Sequence, residues 1–340
     1  MHSAALENEW CYLTRLETHM VRVAPQKLEK WIAVIGVIRS GTTFVGKSLS
    51  LPLRVDYIHE PFNGGYSLPD RTSFEPRYFP PDASSPEARA YREHLAHIFR
   101  YQFGIDTWWH PDDPWWRKAA KMVVGSRGPF YLRLAKLNPF HRAAVLKSPL
   151  AVRPAEFMYE NFGVRPVIVV RHPASLAASL KRMEWWPEMK DFRGDPELER
   201  TYFANEQDFL RRSWPSRFHE SMGHWRAAYK ILLAQADEYP DWIVVTHEDL
   251  CARPVSTFRE LYERLELPWS SSVDSTIRDL TDDSNTADAS RGQPMDLNRS
   301  SANIFELRRD SLTVDERKDI FDIVKDVALK VYSRESFAID

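Results

Sequence analysis

The stretch that most constrains this chain is residues 31–49, WIAVIGVIRSGTTFVGKSL. Trp31 to Val37 is a compact apolar run of strand length, ended by glycine and small polar residues. Thr42 to Leu51 follows with helical spacing. A strand that passes through a short glycine-containing loop into a helix is an anion site. Its loop amides point at the ligand, and the helix N-terminus adds partial positive charge.

Two registers of that loop compete. Gly41 to Ser48, with Gly46 and Lys47, is a literal match to GxxxxGK[ST], the nucleotide loop of P-loop kinases and ATPases. The alternative starts at Gly36 and runs through Arg39, Ser40 and Gly41 to Thr42 and Thr43. Geometry favours the second register. Gly36 directly ends the strand, whereas Gly41 comes after Arg39 and Ser40. The Gly41 register would also hold Phe44 and Val45 against phosphates, where their apolar area is wasted. The kinase reading further needs an acidic magnesium ligand at a strand end, and Lys147 and Arg171 end the candidate strands instead.

Further strands are expected at Arg54–Ile58, Ala143–Leu146, Pro166–Val170 and Trp242–Val245. Helices are expected near Pro86–Tyr101, Arg153–Asn161, Pro173–Met183, Trp225–Ala236, Pro254–Leu265 and Thr313–Tyr332. Strands alternating with helices predict an α/β fold: one P-loop-like domain over residues 1–340, with a central parallel sheet of about five strands and helices on both faces. Residues 1–30 read as a polar leader. Residues 62–140, rich in proline, arginine and aromatics, read as an inserted acceptor-binding or lid region with one clear helix, and 187–222 as a polar helix–loop stretch.

Hydrophobic residues at 43%, charged residues at 28% and a net charge of −2 fit a globular protein without a global nucleic-acid footprint. The two cysteines, Cys11 and Cys251, form no disulfide framework or zinc pattern, which favours a reducing compartment. No apolar run approaches the roughly 18 to 20 residues that span a bilayer, and no secretory signal is visible. A cytoplasmic protein without membrane insertion is the expectation. The twelve tryptophans are the oddity, with doublets at 108–109, 115–116 and 185–186. Core packing and an aromatic acceptor pocket both account for them.

The segment Arg39-Ser40-Gly41-Thr42-Thr43 resembles the 5′-phosphosulfate loop of the PAPS-dependent sulfotransferases, PAPS being 3′-phosphoadenosine 5′-phosphosulfate. Arg171-His172-Pro173, with Ser179 eight residues after the arginine, resembles the family's 3′-phosphate site. An arginine at the end of a buried strand suits that role, since its fork clamps phosphate. Lys147-Ser148-Pro149 matches a Lys-x-Pro element, and Trp225 a tryptophan common in the family. Thr246-His247-Glu248-Asp249-Leu250 resembles a Tyr-Glu-Asp-Leu element, with His247 in place of the tyrosine that contacts adenine. Arg291, in Ser290-Arg291-Gly292, matches a late Arg-Gly element that returns to the 3′-phosphate.

The resemblance implies PAPS as co-substrate, PAP as product, and a metal-independent transfer of a sulfuryl group to a hydroxyl or amine of a small-molecule or glycan acceptor. It also implies a base. In the tyrosylprotein branch a loop arginine is followed twenty-one residues later by a glutamate, and Glu60 stands at that distance from Arg39. The cytosolic branch uses a loop lysine and a histidine after the third strand, where this chain has Arg39 and Ser148-Pro149. Glu60 is therefore the expected general base and His59 its competitor. Arg39 and Lys147 are expected at the transferring sulfate.

Overall fold

The computed structural model describes residues 28–63, 76–111, 113–281 and 309–339. Its centre is a five-stranded sheet: β1 (Lys30–Ile35), β2 (Val55–His59), β3 (Ala143–Lys147), β4 (Val164–Val170) and β5 (Ile243–Thr246). The spatial order is β2-β3-β1-β4-β5 and every pairing is parallel. In chain order the helices among the described residues are α1 (Thr42–Leu49), α2 (Pro86–Phe99), α3 (Trp115–Val124), α4 (Arg127–Leu137), α5 (Ala155–Phe162) and α6 (Pro173–Met183). They continue as α7 (Pro196–Tyr202), α8 (Gln207–Arg211), α9 (Arg217–Glu238), α10 (His247–Ala252), α11 (Pro254–Arg264), α12 (Ser271–Leu280) and α13 (Val314–Ala328).

The strands are apolar on both sides because helices cover both faces of the sheet. Ile32 and Val34 of β1, Val145 of β3 and Val167 and Val169 of β4 join one core, with α1, α11 and α12. The alternate residues, Ala33 and Ile35, Leu146, Ile168 and Val170, join the other, with α2, α5, α6, α9 and α13. A strand's period of two thus feeds two separate cores. Local chemistry sets the helix starts. Pro173 opens α6 with His172 as N-cap, and Thr313 with Glu316 forms a capping box at α13.

The expected α/β architecture with five parallel strands is the observed one. The regions inserted between strands differ from expectation. The 62–140 region carries three described helices, not one. The two missed, α3 and α4, lie in a stretch where α3 buries no residue, so it has no core-facing stripe for periodicity to reveal. The stretch 187–222 holds α7, α8 and the first turns of α9. Its polar side chains are spent on tertiary bonds, such as Glu220 accepting from the Met189 amide at 3.0 Å. The tryptophans divide. Trp31, Trp225 and Trp242 are buried, whereas the doublets at 108–109 and 115–116 are exposed, so core packing does not account for them. The 1–27 part of the leader lies outside the described residues, as do Arg291 and its neighbours.

Parallel order brings the C-terminal ends of all five strands to one edge, where ligands of open α/β sheets bind. β1 lies between β3 and β4, so the loop after β1 faces the turn after β4 on one side and the end of β3 on the other. Tyr229 of α9 ties this layer together: it is fully buried and its hydroxyl donates to the Val169 carbonyl at 2.7 Å. Tyr229→Phe should lower unfolding free energy by about 1–3 kcal/mol, the cost of stranding a buried carbonyl, measured by chemical denaturation against the native chain.

Candidate active site at the strand ends

The loop after β1 has Arg39 at its tip with a left-handed φ of 69° and Gly41 at φ 97° as the N-cap of α1. Gly41 offers no side-chain cap, so the first-turn amides of α1 face the loop without a side-chain acceptor. Ser40 and Thr42 are buried beneath it. Gly36 has to be glycine, because a Cβ there would lie 2.5 Å from the Val169 carbonyl oxygen. The literal kinase match fares differently. Residues 42–49 are helical, so its Gly46 and Lys47 lie inside α1 and not in a loop. Gly46 lets the helix approach the sheet, since a Cβ on it would sit 3.0 Å from the Tyr57 ring and 3.2 Å from the Lys147 Cβ. Lys47 Nζ lies 5.1 Å from the Tyr131 ring centroid, and Ser48 is fully buried.

The turn after β4 grips this loop. Arg171 is 6% exposed. Its Nη1 donates to the Arg39 carbonyl at 2.9 Å, while Nε and Nη2 fork onto Ser175 Oγ at 3.1 and 3.0 Å. The Arg39 side chain turns to the same side, with Nε 3.4 Å from Ser179 Oγ and its guanidinium 5.5 Å from the Trp185 ring centroid. Arg39, Arg171 and Ser179 are thus brought together, with Ser175 added. Ser175 was open to discovery from sequence, since 171, 175 and 179 recur at helical spacing.

A second ring of contacts fixes the turn. Trp225 Nε1 donates to the Arg171 carbonyl at 3.0 Å. Glu248 accepts from the His172 amide at 3.1 Å and from the Tyr332 hydroxyl at 2.8 Å, and burial pushes its carboxyl up. His172 Nδ1 accepts from the Ala174 amide, and its Nε2 meets Ser336 Oγ at 3.0 Å. His247 opens α10 beside the loop: a Cβ on Gly41 would lie 2.6 Å from its Cδ2.

On the other flank, the end of β2 meets the end of β3. His59 pairs in register with Lys147, and the Glu60 amide donates to the Lys147 carbonyl at 2.8 Å. Glu60 then turns with φ 48°, which aims its carboxylate back at Lys147 Nζ, and the two form an ion pair and hydrogen bond. The other Glu60 oxygen accepts from Asn63 Nδ2 at 3.1 Å. Lys147 is 3% exposed. Burial holds its ammonium below the usual lysine range, Glu60 opposes that shift, and Arg127 and Arg39 add to it. Arg127, at the start of α4, is a cation that sequence reasoning missed, because it sits in the inserted region with no motif around it. His59 is buried with its Nδ1 2.9 Å from the Tyr57 hydroxyl. Burial, then Lys147, pushes its imidazole down to about 3. No group of three or more His, Cys, Asp or Glu converges to hold a metal among the described residues.

The site is therefore a polar crevice at the strand ends, with arginines and serines on the β4 flank of the glycine loop and an acid–lysine pair on the β3 flank. The chain belongs to the sulfotransferase family, whose model matches residues 32–271. No curated protein sequence matches it. Among solved structures it is similar to the sulfotransferase domain of the curacin biosynthetic pathway, at 16% identity and TM-score 0.41 over 92% of this chain and 97% of that one. It is also similar to a sulfotransferase from Mycobacterium avium, at 13% identity and TM-score 0.42 over 92% and 80% of the two chains. A third is retinol dehydratase in a complex with retinol and PAP, at 14% identity and TM-score 0.46 over 91% and 84%.

His172 makes the turn after β4 sensitive to acid. Burial, then Arg309, lowers its folded pKa to about 3 from an ordinary 6.5. Between those values the unfolded chain binds a proton that the folded chain excludes, so stability falls as pH drops from about 6.5 towards 3. His172→Asn keeps an N-cap acceptor but removes the titration. Its plot of unfolding free energy against pH should be flatter than the native one over that window by up to about 1.4 kcal/mol per pH unit, measured by denaturant titration at a series of pH values.

Proposed function

We propose that this chain transfers a sulfuryl group from PAPS to a hydroxyl or amine of a small-molecule or carbohydrate acceptor, releasing PAP. The observation that carries this reading is the contact of the β1 loop with a segment far along the chain: Arg171 to the Arg39 carbonyl and Arg39 to Ser179, separations of 132 and 140 residues. A nucleotide with phosphates at both its 5′ and 3′ positions needs two anion grips a nucleoside apart. The loop amides of residues 40–43 with the start of α1 supply one, and Arg171 with Ser175 and Ser179 the other.

In the transfer, the acceptor oxygen or nitrogen attacks sulfur while its proton passes to Glu60. The bond from sulfur to the bridging phosphate oxygen breaks, and its electron pair leaves with PAP. Lys147 stabilises the charge that grows on the bridging oxygen and the sulfonate oxygens. Arg39 shares that role from the opposite flank; its 3.4 Å bond to Ser179 is long, so little is lost when an anion competes for the guanidinium. Both Glu60 oxygens are engaged, one by Lys147 and one by Asn63, and an acceptor hydroxyl exchanges with one of them. A sulfonate that draws Lys147 to itself frees the carboxylate to take the proton, which couples donor binding to base action. His59 suits the base role less well, since an imidazole held near 3 by burial binds protons weakly.

Two variants separate binding from chemistry. Arg171→Ala should weaken PAP binding by at least about tenfold, the cost of one charge-assisted contact, measured by titration calorimetry. Glu60→Gln should keep PAP affinity within about twofold while transfer of radiolabel from PAPS to an acceptor panel falls by about 10²-fold or more. Unchanged turnover in Glu60→Gln removes the base assignment, and tighter binding of magnesium–ATP than of PAP removes the donor assignment.

A further inference from the structure

We propose that the face built by α3 and α4 docks on an anionic lipid bilayer. The proposal rests on this face alone and is independent of the donor and base assignments.

α3 is inverted relative to an ordinary surface helix. Its three basic residues, Arg117, Lys118 and Lys121, are half-buried against the preceding loop. Arg117 lies 3.6 Å from Asp113, Lys118 Nζ donates to the Pro111 carbonyl at 3.2 Å, and Lys121 Nζ donates to the Trp108 carbonyl at 3.0 Å and pairs with Asp113. Its apolar side faces solvent. Trp115 is 80% exposed, Met122 74% and Val123 76%, and no residue of the helix is buried. A water-soluble helix gains its stability by turning that side inward. The adjoining outer face of α4 continues the patch, alternating Phe130 and Leu134 with Arg127 and Arg133, all exposed. Among the described residues, eleven of the seventeen exposed large apolar side chains lie between Trp108 and Phe140. A patch of that density marks an interaction surface.

Charge selects the occupant. The exposed charges of α4 are all basic, Arg127, Arg133 and Lys136, and no Asp or Glu stands from Pro114 to Ala155, although the whole chain has a net charge of −2. A second copy of this chain would set like charge against like charge. A bilayer with anionic headgroups meets both demands: tryptophan and aliphatic side chains enter the interface, and the interspersed arginines pair with phosphates. No described helix is long and apolar enough to cross a membrane, so the attachment is peripheral. Arg127 stands on this face and also acts on Lys147 and His59, so the docked face adjoins the β2–β3 flank of the crevice.

The test is cosedimentation of the full chain with vesicles of phosphatidylcholine alone and of phosphatidylcholine with phosphatidylserine, at low and high salt. The native chain should pellet with the phosphatidylserine vesicles, and less so as salt rises. Trp115→Ala/Trp116→Ala and, separately, Arg133→Glu should each weaken that partition by about tenfold or more. Circular dichroism should be unchanged, because these side chains lie outside the core. Absence of pelleting on phosphatidylserine vesicles overturns the proposal, as does equal pelleting of native chain and variants. A dimer by light scattering that the tryptophan variant dissociates, with no vesicle binding, assigns the face to a second copy and overturns it as well.

Discussion

The buried guanidinium of Arg171 is the interaction on which the rest of the site depends. A charge at that depth costs several kcal/mol unless it is hydrogen-bonded. Here each of its three nitrogens bonds, Nε and Nη2 to Ser175 and Nη1 to the Arg39 carbonyl. Its own carbonyl is held by Trp225, the next amide by Glu248, and Glu248 by Tyr332 near the C-terminus. The glycine loop, the β4 turn, α9, α10 and the last segment of the chain are therefore organised around one cation. None of those elements could shift by much without leaving a polar group unpaired, which gives the crevice its shape before any ligand arrives.

The sheet divides the labour. Because β1 sits between β3 and β4, one loop serves two neighbours of different character. The β4 side supplies arginines and hydroxyls, the surface proposed to hold phosphate. The β3 side supplies a carboxylate and an ammonium whose pairing can be exchanged. In the proposed reaction, phosphate recognition and proton handling fall on opposite flanks of the same glycine loop, coupled through Lys147.

Much of this was legible in the sequence because the strand-ending residues sit in short motifs with fixed geometry. The Gly36 register followed from the strand end, and the sheet followed from apolar runs that alternate with helical spacing. The pairing of Glu60 with Lys147 was not legible. The two residues are 87 apart, and only the adjacency of β2 and β3 brings them together. α3 escaped because periodicity arguments look for a buried stripe and α3 has none. Arg127 escaped because its relation to the site is made by the packing of α4 beside β2 and by no local pattern. Gly46 and Lys47 show the opposite hazard, a literal motif whose glycine serves helix–sheet packing.

Arg39 and Glu60 are both held at positive φ, the region that glycine enters freely and other residues enter at about 1–2 kcal/mol. Each carries a charged side chain that the proposed transfer uses, Arg39 turned towards Ser179 and Glu60 towards Lys147. Glycine would relax the backbone at either position and leave the crevice without its charge. The two side chains closest to the proposed chemistry therefore work against the stability of the fold that carries them, and a form of this chain selected only for resistance to heat would tend to lose its reactivity at these two turns first.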